Sequence, residues 1–123
     1  MRYLFFLILT LASCAMPTVT PLNGKILIDK EARGSQCKVI MTYQNHEQAP
    51  LAPEVRFIVF DASANTTAQG SIYFDTVLGG KQQQKFSYIS SPCKNVQKLV
   101  VTYARDRKYR NLPMAFEGAV FTR

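Results

Sequence analysis

Apolar and polar side chains alternate with a period of two along most of the chain after residue 24, and no helical period persists. The alternation is clearest in Gln36–Asn45, where Cys37, Val39, Met41 and Tyr43 share one face. Turn-forming residues interrupt the pattern roughly every eight to twelve positions. The pattern predicts strands at residues 25–30, 36–45, 54–61, 67–74, 81–89, 97–104 and 114–122.

Seven short strands in about 100 residues are typical of an all-β, immunoglobulin-like sandwich. We therefore expect one β-sandwich domain over residues 25–123. A transthyretin-like sandwich or a small barrel is the alternative architecture.

The N-terminal segment carries a short apolar run at residues 3–11, directly after Arg2. Nine residues are too few to cross a bilayer as a helix, which needs about 20, so the run indicates a secretory signal. The motif Leu11-Ala12-Ser13-Cys14 that follows resembles the bacterial lipobox. The resemblance implies removal of residues 1–13, acylation of Cys14, and a lipid-anchored tether over residues 14–24.

Two other interpretations of this segment stay open. Cleavage after Ala15 would give a soluble secreted protein, and a cysteine can also occur by chance in an ordinary signal. If Cys14 is acylated, the absence of aspartate at the next position favours the outer membrane, facing the periplasm.

Once Cys14 is assigned to the anchor, Cys37 and Cys93 remain as a pair. Exported domains usually oxidise such pairs, so we expect one disulfide at one end of the sandwich. The alternative is two buried thiols. A metal site is disfavoured, because two cysteines and the one histidine, His46, cannot complete a tetrahedral shell.

The third predicted strand contains Phe57-Ile58-Val59-Phe60-Asp61, which resembles the signature strand of FxLYD-type domains. Phe57 and Asp61 match that pattern strictly, and the surrounding order of strands and turns extends the resemblance over residues 36–104. The resemblance implies a small exported β-sandwich found on bacterial lipoproteins. It implies no catalytic or ligand-binding residue.

Core packing and turn formation explain the residue pattern of this strand. We expect its alternate apolar residues to face inward and Asp61 to cap the following turn. Ile58 and Phe60 would then point outward, and Ile72 and Phe74 on the next strand are also apolar. Either the tether or a loop covers this strip, or a partner protein does.

The most distinctive polar cluster is a basic segment between the last two predicted strands. It is either a docking loop for an anionic glycan, lipid headgroup or acidic protein, or a solvated hairpin loop. Lys94 and Lys98 are expected close to it. The segment is flanked by Tyr103 and Tyr109, and its candidate binding residues are Arg105, Arg107, Lys108 and Arg110.

The chain carries a formal net charge of +7, which favours anionic neighbours, although nucleic acid is not expected in this compartment. His46 lies in a proline-rich loop without a recognisable nucleophile, and the acidic residues are scattered. We therefore expect no catalytic residues and no cofactor. The sequence favours a lipid-anchored envelope binding or scaffold protein, as an accessory part of an envelope assembly. The alternative is a binder of lipopolysaccharide or cell wall.

Overall fold

The computed structural model describes residues 23–109 and 113–122. The predicted signal peptide, Cys14, most of the predicted tether and Arg110 lie outside the described residues. A short 3-10 turn lies at Cys93–Asn95. The strands are β1 (Gly24–Arg33), β2 (Gln36–Asn45), β3 (Pro53–Phe60), β4 (Thr66–Tyr73), β5 (Gln82–Ile89), β6 (Lys98–Asp106), β7 (Phe116–Glu117) and β8 (Val120–Thr122).

The strands form two four-stranded sheets, which confirms the expected all-β, two-sheet architecture. The first sheet has the order β5-β2-β1-β7 and the second has the order β4-β3-β6-β8. All pairs are antiparallel except β1 with β7. The central strands β2 and β3 therefore face each other through the core, and β4 and β5 are edge strands.

The prediction of one strand over residues 114–122 is wrong. The described residues form two short strands there, β7 and β8, so that they contain eight strands instead of seven. Gly118 interrupts the alternating pattern with a φ of 82°, and a Cβ there would lie 2.3 Å from the carbonyl oxygen of Ile26. The backbone turns at this glycine and changes sheets. As a result β7 pairs with β1, while β8 pairs with β6.

The first hairpin is longer and tighter than its residue pattern predicts. Arg33 pairs with Gln36, so the turn consists of Gly34 and Ser35, and Gly34 has a φ of 62°. Residues 31–33, which the sequence places in a turn, instead extend β1 alongside β2.

Tyr43 lies at the centre of the core and is fully buried. Its ring contacts those of Phe74 and Phe116 at centroid distances of 5.8 and 5.3 Å. Ile72 and Phe74 are also buried, so they do not belong to an exposed apolar strip. Ile58 is half-buried on the outside of the second sheet.

The predicted disulfide between Cys37 and Cys93 is present, with Cα atoms 4.7 Å apart. It joins the start of β2 in the first sheet to the turn that precedes β6 in the second. The predicted cap is also confirmed, since Asp61 Oδ1 accepts hydrogen bonds from the backbone N–H groups of Ser63 and Asn65.

Candidate ligand-binding face

The outer face of the second sheet brings basic and aromatic side chains together across three strands. In register, Glu54 on β3 lies between Tyr73 on β4 and Arg105 on β6. Arg56, two residues further along β3, faces Tyr103 on β6. We call this surface the basic–aromatic face and define it by Arg56, Tyr73, Tyr103, Arg105 and Arg107.

Two arginines of this face lie over tyrosine rings. The guanidinium carbon of Arg56 is 5.1 Å from the ring centroid of Tyr103, and that of Arg107 is 5.1 Å from the ring centroid of Tyr73. Arg107 Nη2 also donates a hydrogen bond of 3.0 Å to the carbonyl oxygen of Phe74. Each guanidinium thus lies against an aromatic ring, and a guanidinium has five N–H donors that suit phosphate and carboxylate.

A buried carboxylate lies beneath these cations. Glu54 is 6% exposed, and its Oε2 atom is 3.3 Å from Arg56 Nη2 without a hydrogen bond of good geometry. The buried Nε of Arg105 also has no hydrogen-bond partner. Buried polar atoms without partners are uncommon in folded proteins. Glu54 Oε2 and Arg105 Nε are therefore available to form hydrogen bonds with a ligand or with water.

A β-bulge between β3 and β6 determines which residues of the basic–aromatic face are neighbours. The register between β3 and β6 shifts after Arg56, because Arg56 pairs with Tyr103 whereas Phe57 pairs with Val101. The intervening Thr102 donates from Oγ1 to the carbonyl oxygen of Arg56 at 3.4 Å. The bulge turns Tyr103 toward Arg56. A shallow groove of about 430 Å³ lies beside this point, lined in part by Arg56, Gln69, Ser71, Tyr73 and Thr102.

The basic turn after β6 is built around Asp106, which is 1% exposed. Its Oδ1 atom accepts hydrogen bonds from the backbone N–H groups of Ala52, Lys108 and Tyr109 at 3.1, 3.3 and 3.4 Å. This buried carboxylate fixes the turn, and so places Arg107 at the end of the basic–aromatic face. The sequence pattern gives Asp106 no special role, since it lies in a run of charges.

The predicted binding residues fall in two places. Arg105 belongs to β6 itself and is half-buried, whereas Arg107 and Lys108 lie exposed in the following turn. The expectation that Lys94 and Lys98 lie nearby is wrong, because Lys98 begins β6 and Arg107 follows its end. Nine strand residues separate the two ends by roughly 27 Å.

Sequence reasoning missed Arg56 and Tyr73, which are distant from the basic segment along the chain. Arg56 is the exposed charge in an otherwise largely buried strand, and that contrast was available from the sequence. Its proximity to Tyr103 depends on the pairing of β3 with β6 and on the bulge. Neither is visible in a local pattern.

An acidic residue, Asp75, lies at the end of the basic–aromatic face. Lys85 Nζ lies 2.8 Å from Asp75 Oδ2. The hydrogen bond and charge of Lys85, with further attraction from Arg107 and Lys108, lower the pKa of Asp75 below its usual value. A cavity of about 470 Å³ lies between Asp75 and these two basic residues of the turn.

Within residues 23–109 and 113–122 no three histidine, cysteine, aspartate or glutamate side chains cluster as metal ligands. The same residues include no helix that is long and apolar enough to span a membrane. His46 is exposed in its loop.

Comparisons with known proteins bear on the fold. No protein-family model matches the chain, and no curated protein matches it. The chain is similar to the X-ray structure of Northeast Structural Genomics Consortium target SoR45, with a TM-score of 0.53 and 9% identity over 82% of this chain and 87% of that one. It is also similar to part of a beta-glucuronidase from glycoside hydrolase family 2, with a TM-score of 0.46 and 10% identity over 75% of this chain. The chain spans 11% of the length of that enzyme.

Proposed function

We propose that the protein is a non-catalytic binding module of the bacterial cell envelope, anchored through an acylated Cys14 at the outer membrane. Its ligand would be an anionic envelope polymer, lipopolysaccharide or cell wall, held by the basic–aromatic face. The observation that carries this proposal is the placement of Arg56 over the ring of Tyr103 and of Arg107 over the ring of Tyr73 on one sheet face. The location rests on the lipobox resemblance of the N-terminal segment.

The chemistry of the face suits such a ligand. Guanidinium groups bind phosphate and carboxylate through paired hydrogen bonds, and a tyrosine adds a hydroxyl that both donates and accepts hydrogen bonds. Tyr73 is 51% exposed and Tyr103 is 38% exposed, so both rings remain accessible. Five cations, Arg56, Lys85, Arg105, Arg107 and Lys108, outnumber the three carboxylates Glu54, Asp75 and Asp106 around the face. A net positive potential therefore remains for the ligand.

The test measures binding of the full-length protein, in mild detergent, to purified lipopolysaccharide and to peptidoglycan sacculi at several salt concentrations. We expect Arg56→Ala/Arg107→Ala to weaken binding by about tenfold or more, since each guanidinium supplies charge-assisted hydrogen bonds. The matched control is Lys25→Ala/Lys38→Ala, which removes the same charge from the outer face of the first sheet. It should change the affinity by less than about threefold.

Equal losses in the two double variants would contradict the proposal, because they would indicate attraction by net charge without a defined site. Binding that does not weaken as salt rises would contradict it as well.

A second candidate is an accessory component of an envelope assembly, which contacts a partner protein. The observation that favours it lies on the other sheet. Leu27, Phe86 and Tyr88 are 44, 53 and 47% exposed on the outer face of the first sheet. Crosslinking of the full-length protein in its own cells, followed by purification and mass spectrometry, tests this candidate. A stoichiometric protein partner supports it, whereas recovery with envelope polymer fragments and no protein supports the first candidate.

A further inference from the structure

β5 is an edge strand with one unpaired side. Within the described residues it pairs with β2 alone. The backbone N–H of Asn45 donates to the carbonyl oxygen of Lys81, so the odd-numbered residues of β5 direct their backbone groups toward β2. The backbone groups of the even-numbered residues therefore point away from the sheet. These outward-directed residues are Gln82, Gln84, Phe86 and Tyr88.

The same four residues present their side chains on the outer face of the first sheet, where the surface is already ordered. The rings of Phe86 and Tyr88 meet edge to face at a centroid distance of 5.5 Å. Lys38 Nζ lies 4.2 Å from the ring centroid of Phe86. Gln84 donates from Nε2 to Thr42 Oγ1 at 3.4 Å. The edge thus combines free backbone groups with a fixed aromatic surface.

The inward-facing side of β5 is polar, which is unusual in a sandwich. Gln83, Lys85 and Ser87 occupy three of its inward positions, and only the last, Ile89, is a buried apolar residue. Lys85 is held by its ion pair with Asp75, whose backbone N–H donates to Gln83 Oε1 at 2.8 Å. Inward polar and charged residues on an edge strand limit non-specific pairing. A partner strand at this edge therefore needs side chains that match them.

The positive charge around β5 favours a different protein over a second copy of this chain as the occupant of the edge. β2 and β5 contain Lys38 and Lys85, Lys81 directly precedes β5, and neither strand has an acidic residue. Two copies of β5 paired edge to edge would bring the positive charges of both copies together at one edge, which costs free energy. Asp75 pairs with Lys85 and offsets one of these charges. An incoming strand with acidic residues would therefore gain from the two lysines that remain, Lys38 and Lys81.

We propose that the free edge of β5 binds an extended segment of a partner protein by β-strand addition. Acidic side chains of that segment would lie on the side of the sheet that carries the Lys85–Asp75 ion pair, attracted by the excess positive charge of Lys81. The alternating apolar side chains would lie beside Phe86 and Tyr88. The segment thus alternates acidic and apolar residues, as the period of two in a strand requires. This inference rests on the second candidate function and names its surface and the chemistry of its partner.

The probe is a synthetic peptide of sequence acetyl-Glu-Val-Glu-Phe-Glu-Val-Glu-amide, carrying a fluorophore, titrated with the full-length protein in mild detergent. Its matched control has the same side chains but methylated backbone nitrogens at every second residue, which removes the donors of a strand. We expect saturable binding of the first peptide and a loss of at least about tenfold for the methylated one.

Two protein variants locate the binding. Gln84→Pro removes a backbone N–H that points to the free edge and spares the pairing with β2, since proline is tolerated in edge strands. Phe86→Ser removes the aromatic surface and leaves the backbone intact. Both should weaken peptide binding about tenfold or more, whereas Lys98→Ala, an exposed position on β6 of the other sheet, should leave it unchanged. Amide exchange should slow at Gln84 and Phe86 when the peptide is bound.

Absence of binding at millimolar peptide, equal binding of the methylated peptide, or exchange protection elsewhere would overturn the inference. A dimer of the wild type that Gln84→Pro dissociates would overturn it too, because the occupant would then be a second copy. If lipopolysaccharide and sacculi binding fails while peptide binding holds, the polymer proposal alone is lost. If the peptide does not bind while crosslinking yields a stoichiometric partner, the second candidate function is supported, but the β5 edge is not the surface that binds the partner.

Discussion

The ammonium group of Lys30 on β1 donates a hydrogen bond of 2.9 Å to the carbonyl oxygen of Cys93, in the turn before β6. It donates a second one of 2.7 Å to the carbonyl oxygen of Val96. The side chain of Cys93 is also bonded to Cys37 on the neighbouring strand β2. The first sheet is therefore attached to this turn by the disulfide bond and by the two hydrogen bonds of the Lys30 ammonium group.

Replacing Lys30 by methionine should lower the free energy of unfolding by about 1–3 kcal/mol, because the two carbonyl groups lose a charged donor. The control is Lys25→Met, since Lys25 lies on the same strand but on its outer face. Chemical denaturation of both variants measures the difference. Equal stabilities of the two variants would show that the lysine contacts contribute nothing specific.

Removing the disulfide with Cys37→Ala/Cys93→Ala should lower the free energy of unfolding by roughly 4 kcal/mol in the chain-entropy model, since the bond closes a loop with a sequence separation of 56. A reducing agent should destabilise the wild type by a similar amount and leave the variant unchanged. A difference below about 1 kcal/mol would mean that the unfolded chain is not constrained by this bond.

The disulfide and the central strand β2 were predictable because each follows from local information. Counting cysteines after Cys14 leaves a single possible pair, and the alternation in Gln36–Asn45 matches the observed strand end to end. The division of the last strand at Gly118 was not predictable, because a glycine in an alternating pattern marks a bulge within one strand as readily as a bend between two. The meeting of Arg56 with Tyr103 depends on a bulge between distant strands, so no local pattern contains it.

Gly70 on β4 makes room for the buried ring of Phe57. A Cβ at this position would lie 2.6 Å from Phe57 Cζ. We expect Gly70→Ala to destabilise the protein by about 1–3 kcal/mol through overpacking. Phe57→Leu also destabilises the wild type, but combined with Gly70→Ala it should cost less than the sum of the single changes. Additive effects in thermal denaturation would rule out this steric coupling.

The ion pair between Asp75 and Lys85 should make a salt-sensitive, pH-dependent contribution to stability. Lys85 lowers the pKa of Asp75 in the folded protein. The stabilisation is therefore fully present above the unfolded pKa of about 3.9 and is lost as pH falls through the lower folded value. Melting temperatures measured from pH 7 to pH 2 should show Asp75→Asn below the wild type at neutral pH and equal to it at the acidic end.

Asp29→Asn is the control for that experiment, because Asp29 is exposed on β1 and makes no ion pair among the described residues. It should follow the wild type across the whole range. A constant difference between Asp75→Asn and the wild type down to pH 2 would show that the loss is not electrostatic.

The proposed anchor depends on a single sulfur atom. If Cys14 is acylated, its hydrocarbon chains hold the protein in the membrane, since each buried methylene contributes about 0.8 kcal/mol and more than one chain makes anchoring stable. Cys14→Ser should therefore move the protein from the membrane to the soluble fraction of lysed cells. Ser13→Ala preserves a small residue before the cysteine and should stay with the membrane. Retention of Cys14→Ser in membranes that are washed with high salt would disprove lipid anchoring and indicate attachment through the protein itself.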